Sequence, residues 1–540
     1  MGETSIQTNL KKSKIVQTKW LPLLAISALF IGCKPEAKPE TKKYTTEVYQ
    51  TSFAGDNLKL LSLDKRTTDT EELKQVNLEL QPNKTYQKYY GFGASFTESS
   101  AWNLATIPVA KRKEVMTKLF SPTEGAGFSL TRTHINSSDY SNTHYTYVED
   151  GDKDLSTFSI AEDLKGFTGD ENDQVRGVAL VTPGYDLIPM ILEASNIPGA
   201  DFKIIASAWS PPSWMKTGET APMTNGSLLP KYYGLWANYL SKYITAYAEK
   251  GIAIWGLTPQ NEPLHYHDAQ WDSNGFEPKQ GRDFLRDYLG PQLVKDGHLN
   301  IDDLDASLHV LLYDHNKSNM IDYVTPTYED PEASKYAWGT AFHWYANSEL
   351  EENNYYAGEI TKLKEKWPNK AIIHSESSID IDANDPIGQY WRLSTDYAGK
   401  FIPFETYAYD IISDLNHGTQ GYVEWCSILS DKGQPNPYNN FNSAPVLINP
   451  ETDEVIYTPL YYLLSHFSKF IRPDAERIAL DGEQVDGIIY TAAKNTDGSI
   501  AVVIFNKNEE DVEVSINLET ELYTTKIAPR AMQTILLNSK

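Results

Sequence analysis

Eight short apolar runs alternating with amphipathic helical stretches predict an α/β fold, a parallel (β/α)8 TIM barrel. β-rich segments at both chain ends predict an antiparallel β-sandwich side domain, built from the two ends together. Two glutamates, each closing one of the apolar runs, mark the end of the barrel where chemistry belongs.

The eight expected strands are Tyr90–Ser95, Gly127–His134, Phe202–Ala208, Ile252–Thr258, Leu308–Tyr313, Gly339–Trp344, Ala371–Ser375 and Gly421–Trp425. Between the third and fourth, Leu235, Leu240, Ile244 and Tyr247 recur at helical spacing and predict a helix over Tyr232–Lys250. At the N-terminal end, Thr46–Tyr49 and Leu58–Leu61 alternate as strands do. At the C-terminal end, Gly487–Thr491, Ile500–Phe505 and Val512–Ile516 are β-branched runs separated by Asn, Asp and Gly turns. The expected boundaries are 44–88 for the N-terminal sandwich strands, 89–455 for the barrel and 456–540 for the C-terminal sandwich.

The first residues read as an address. Lys11, Lys12, Lys14 and Lys19 precede an apolar stretch, Trp20–Ile31, too short for a transmembrane helix of about 20 residues. It ends in Leu29-Phe30-Ile31-Gly32-Cys33, similar to a bacterial lipobox, so residues 1–33 are expected to be a lipoprotein signal with Cys33 lipidated. Residues 34–43, charged and Pro-containing, form a linker. The expected location is outside the cell's cytoplasm, lipid-anchored to a bacterial membrane. Cys426 is the one other cysteine, so no disulfide is expected within the mature chain. A net charge of -25 over 540 residues argues against a nucleic-acid partner.

The fourth run ends in Thr258-Pro259-Gln260-Asn261-Glu262-Pro263, and the seventh in His374-Ser375-Glu376-Ser377. Strands 4 and 7 face each other across a barrel mouth, where two carboxyl groups can serve one anomeric carbon. One protonates the departing oxygen while the other attacks. Glu262 is read as the acid, with its pKa expected to be raised by apolar walls and by the nearby Glu376. Asn261 is placed to hydrogen-bond a sugar 2-hydroxyl. His343 and His374 lack the companion ligands of a zinc site, so neither metal nor cofactor is expected.

Six motifs occur in one order: Gly91–Glu98 (Gly-Phe-Gly-Ala-Ser-Phe-Thr-Glu), Ser129–His134, Trp209–Lys216, Asn261–Pro263, His343–Tyr345 and His466–Ile471. From about Tyr89 to the C-terminus the sequence resembles glycoside hydrolase family 30, which includes glucosylceramidases and β-1,6-glucanases. The resemblance implies the barrel-plus-sandwich fold, with Glu262 as acid/base and Glu376 as nucleophile. It further implies Arg132 holding the nucleophile ionised, and Asp139 and Trp209 binding outer hydroxyls of a glucose-like sugar. His343, Tyr345 and Trp425 would line the same pocket, with Asn436 on its aglycone side. The expected substrate is a β-glucan or β-glucoside, β-1,6-linked, cleaved with retention in exo or endo mode; glucosylceramide is the alternative. Cys426 follows Trp425 where the family often has Asn. Gln434-Pro435-Asn436-Pro437 lacks an aromatic wall found in several relatives, which bears on the aglycone.

Overall fold

The computed structural model describes residues 44–61, 73–167, 178–218, 223–345, 357–379, 397–438 and 440–539. The expected signal, Cys33 and the linker lie outside them.

All eight expected strands form, as Gly91–Ser95, Leu130–Ile135, Lys203–Ala208, Gly256–Thr258, His309–Asn316, Gly339–His343, Ala371–Glu376 and Gly421–Cys426. They are called strands 1 to 8 below. Each pairs in parallel with the next from strand 2 to strand 8, and strand 8 pairs with strand 1. Backbone bonds from Ser129 N–H to the Phe92 carbonyl (2.9 Å) and from Phe96 N–H to the Arg132 carbonyl (2.8 Å) join strand 1 to strand 2 and close the barrel. Glycine permits this approach: a Cβ on Gly93 would collide with the Leu130 carbonyl oxygen. Strand 4 is shorter than expected, because Ile252–Trp255 runs into it as irregular chain.

The barrel interior differs at its two ends. At the N-terminal end Tyr90, Trp255, His309 and Trp338 pack ring against ring, with Trp255 over His309 at 4.3 Å and against Trp338 at 5.2 Å. Above them Leu130, Ile205, Leu311, Ala341, Ile373 and Val423 fill the interior. Polar side chains occupy the C-terminal end, so only there can a hydrophilic ligand enter. The helix after strand 3, Tyr233–Glu249, buries Trp236, Leu240, Ile244 and Tyr247 against the barrel.

The side domain is one continuous nine-stranded sheet. Its hydrogen-bonded order is Glu521–Ile527, Val512–Leu518, Lys74–Lys88, Glu476–Gly482, Ile488–Lys494, Ile500–Asn506, Ala531–Ser539, Tyr44–Ser52 and Lys59–Leu61. Both chain ends enter it as expected. One pair, Lys74–Lys88 with Val512–Leu518, is parallel. The run Ile500–Asn506 shows no hydrophobic alternation because both its faces are covered. Ile500, Val502 and Ile504 join the sandwich core, while Ala501, Val503 and Phe505 join the core of the barrel domain.

The segment from 456 departs from the expected sandwich. Glu454–Tyr457 completes a small three-stranded sheet after strand 8, and Pro459–Ser468 is a helix. The C-terminal sandwich strands begin at Glu476. Within that helix, buried His466 lies 2.9 Å from the Thr51 hydroxyl and 2.8 Å from the Thr534 hydroxyl. It thereby ties the barrel to the first and last long strands of the chain.

Candidate active site

Arg132, on strand 2, is fully buried and organises the barrel mouth. Its Nε donates to Ser207 Oγ (2.8 Å) on strand 3, and Nη2 donates to Asn261 Oδ1 (2.7 Å) and to Asp314 Oδ2 (2.8 Å). Nη1 donates to Glu376 Oε2. Its guanidinium lies over Trp209 at 4.7 Å and Trp425 at 5.3 Å, two indoles stacked at 4.9 Å. A fully buried guanidinium would be costly alone; two carboxylates and two aromatic faces offset that cost.

Glu376 is the last residue of strand 7, where the register to strand 6 shifts. Its Oε1 accepts from the Tyr345 hydroxyl (3.0 Å), and its carbonyl lies 3.1 Å from His374 Nε2. Glu262 sits four residues beyond strand 4 at φ 46, a left-handed conformation unusual for a side-chain-bearing residue. Its N–H bonds the Asp314 carbonyl (2.9 Å), which holds the turn. Asn136, Tyr313 and Asp314, each near a strand's C-terminal end, also have positive φ (63°, 78° and 55°). Such strain collects where side chains must be aimed rather than merely packed.

His343, on strand 6, bridges the two glutamates. Its Nδ1 lies 3.2 Å from Glu262 Oε1 and 3.8 Å from Glu376 Oε1, which caps the oxygen-to-oxygen separation at about 7 Å. Its Nε2 lies 3.0 Å from Asp314 Oδ1. Burial opposes a charge on this ring, yet Glu376 and the bonds to Asp314 and Glu262 raise its pKa to about 9. The imidazolium therefore donates at both nitrogens. Burial likewise opposes ionisation of Asp314, but Arg132 and His343 hold its carboxyl far below the usual range.

Glu262 corrects the sequence reading. Burial does push its pKa up, but bonding to His315 and His343 outweighs burial and holds it well below the ordinary glutamate value. His315 Nδ1 stands 3.5 Å from Glu262 Oε1, at ion-pair range. Without a ligand, the proton that an acid would donate rests on imidazole rather than on Glu262.

The other expected residues divide. Asp139 comes close enough to both glutamates that, after burial, their charges are what most raise its pKa. Its inaccessible Oδ1 and the buried Trp425 Nε1 have no partner among the described residues, one an acceptor and the other a donor. Asn436 is not available as expected. Its Oδ1 accepts from the N–H groups of Tyr438 and Asn440, and its Nδ2 donates to the Asn440 carbonyl, so the amide shapes its own loop. Cys426 is buried and unbonded to sulfur. Asp314 and His315 escaped the sequence reading. The available signal was Asp-His-Asn directly after the apolar run Leu308–Tyr313, since polar residues at that end of a barrel strand face the mouth.

Residues 89–471 match the glycosyl hydrolase family 30 TIM-barrel domain, and 474–535 match that family's β-sandwich domain. The chain belongs to glycosyl hydrolase family 30. It is 30% identical to mouse lysosomal acid glucosylceramidase, covering 82% of this chain and 79% of the relative. It is 25% identical to the endo-1,6-β-D-glucanase neg1 of Aspergillus fumigatus, covering 92% and 94%. The solved structure of the endo-β1,6-glucanase BT3312 superposes with a TM-score of 0.74 at 26% identity, covering 92% of this chain and all but 1% of the other. As a family 30 enzyme the chain is a retaining β-glycosidase. The bound of about 7 Å accommodates the carboxyl spacing of about 5–5.5 Å that retention requires.

Proposed function

We propose that the enzyme hydrolyses β-1,6-linked glucan or glucosides, with Glu376 as nucleophile and Glu262 as acid/base. The observation that carries this reading is the meeting of both carboxylates at one imidazole nitrogen, with an arginine on Glu376 and, among the described residues, none on Glu262. Arg132 and Tyr345 fix Glu376 with a lone pair free for the anomeric carbon. Attack forms the glycosyl ester while Glu262 passes a proton to the departing oxygen. His343 supplies that proton to Glu262 beforehand, as the nucleophile's charge, which stabilises the imidazolium, is consumed in the new bond. Glu262, then ionised, activates the water that hydrolyses the ester. Asn261, Asp139, Trp209 and Trp425 supply polar groups and apolar faces for a glucose-like ring.

The β-1,6 linkage is supported by similarity to two endo-1,6-glucanases over nearly the full length of each. A second reading, glucosylceramide hydrolysis, is favoured by the higher identity to the mouse enzyme. Turnover of linear β-1,6-glucan against glucosylceramide micelles decides between them. Glu376→Gln should lower turnover at least about 10⁴-fold while sugar binding persists; a fully active variant would falsify the assigned nucleophile. We also propose that Cys33 carries a lipid that anchors the enzyme to a bacterial membrane, with a glycan polymer outside as substrate. Labelling with a fatty-acid analogue should mark the wild type and not Cys33→Ala.

A further inference from the structure

We propose that Glu262, His315 and His343 also form a zinc-class metal site, through which a divalent transition ion inhibits the enzyme by displacing substrate. One donor from each residue, Glu262 Oε1, His315 Nδ1 and His343 Nδ1, lies within 4.8 Å of the other two. Glu262 Oε1 lies 3.2 Å from His343 Nδ1 and 3.5 Å from His315 Nδ1. Zinc binds imidazole nitrogen and carboxylate oxygen at about 2.0–2.2 Å in tetrahedral array, which sets donor–donor edges of about 3.3–3.5 Å. The protein thus holds two edges of such a tetrahedron before any ion arrives.

Three further observations point the same way. His343 already bonds Asp314 through its other nitrogen at 3.0 Å, the carboxylate–histidine arrangement that orients imidazole ligands behind a metal. His315 Nδ1 is buried and faces Glu262 Oε1 at 3.5 Å, an ion-pair contact longer than a short hydrogen bond. The side chains of Glu262 and His315 remain 12% and 13% exposed, so an ion can enter from the mouth. Two imidazoles and one carboxylate select zinc, copper, nickel or cobalt over magnesium and calcium. The fourth position would face the sugar site.

A second histidine–carboxylate cluster shows what excludes a metal. His374, Asp410 and Asp414 also bring donors within 4.8 Å, but they are buried. The Lys317 ammonium donates to both aspartates there, at 2.6 and 2.7 Å. A cation is already built into that cluster. In the Glu262 cluster no lysine or arginine pairs with the carboxylate among the described residues, and its two partners are imidazole nitrogens that can ligate a metal.

Inhibition rests on the acid/base role of Glu262; binding does not. The test therefore measures them separately on the full chain. Cobalt(II) titrated into the enzyme should give the intense visible absorption of a four-coordinate ion, bleached by zinc. Zinc should inhibit hydrolysis of an aryl β-glucoside competitively and reversibly by chelator. His315→Gln and His315→Phe, each checked for folding by thermal melting, should lose the cobalt band and raise the zinc inhibition constant at least about tenfold. An unchanged cobalt band and inhibition constant in both variants, or no cobalt binding by the wild type, overturns the metal site. Should cobalt bind as described while Glu262→Gln keeps full activity, the metal site stands and the acid/base assignment falls.

Discussion

Two histidines on neighbouring barrel strands, His343 and His374, are equally buried and are held in opposite charge states. His343 points into the mouth among Glu262, Asp314 and Glu376, and is raised to about 9. His374 faces the helix layer, where Lys317 already pairs with Asp410 and Asp414, and burial lowers it to about 3. Burial alone does not decide whether an imidazole is charged; the balance of carboxylates and cations around it does. Around His343 the negative charge exceeds the fixed positive charge, and that surplus leaves a mobile proton beside Glu262. Around His374 a fixed cation faces two carboxyls that burial raises to about 6, so the pull for a proton on the ring is weaker, and the cluster supports the nucleophile's backbone instead.

The strongest way to break this contrast is Glu262→Gln. Glycosides with poor leaving groups should lose about 10²–10⁴-fold in kcat/KM, while a dinitrophenyl glucoside, which needs no proton, should lose far less. Equal losses on both substrates would remove Glu262 as the proton donor. Next in size, Lys317→Met strips the cation from two buried aspartates and should cost about 3–5 kcal/mol by denaturant unfolding. The variant's leaving-group dependence should stay that of the wild type.

The pH dependence of stability sharpens the comparison further. The folded pKa of His343 lies above its unfolded value of about 6.5, so its contribution is complete below about 6.5. It is lost as pH rises through about 9, to the extent of about 3 kcal/mol. His374 has the reverse sign: its folded pKa is depressed, so it destabilises as pH falls from about 6.5 toward 3. Unfolding measured at pH 6 and pH 9 should show a decline that His343→Gln flattens; a wild type equally stable at both would contradict the charged His343. The smallest effect is expected for Asn436→Ala. It removes bonds internal to one loop and should cost about 1 kcal/mol with little change in KM. A tenfold rise in KM would restore Asn436 to substrate contact.

Much of the fold could be read from the chain because barrel strands buried on both sides are short apolar runs, and eight of them occur. The pairing of the chain ends was also legible, from β-branched runs that need a partner. Glu262 and Glu376 were legible because each stands just past the C-terminal end of such a run, Glu376 directly and Glu262 four residues on. The charge state of Glu262 was not, since His315 and His343 reach it from strands 53 and 81 positions along the chain. Asn436 misled for a related reason: nothing in Gln434-Pro435-Asn436-Pro437 tells whether an amide turns outward to a sugar or inward to its own loop. The helix Pro459–Ser468 was missed between two β-rich segments; its Leu460, Leu463, Leu464 and Phe467 spacing was the available sign.

The doubly covered strand Ile500–Asn506 constrains how this enzyme can be cut or inherited. Its residues belong by turns to both hydrophobic interiors, so severing the chain near residue 472 would leave each fragment with a raw, water-exposed wall. Deletion of the sandwich should therefore yield insoluble catalytic fragment rather than a smaller enzyme, and any recombination that moves the barrel to a new protein has to carry both chain ends along with it.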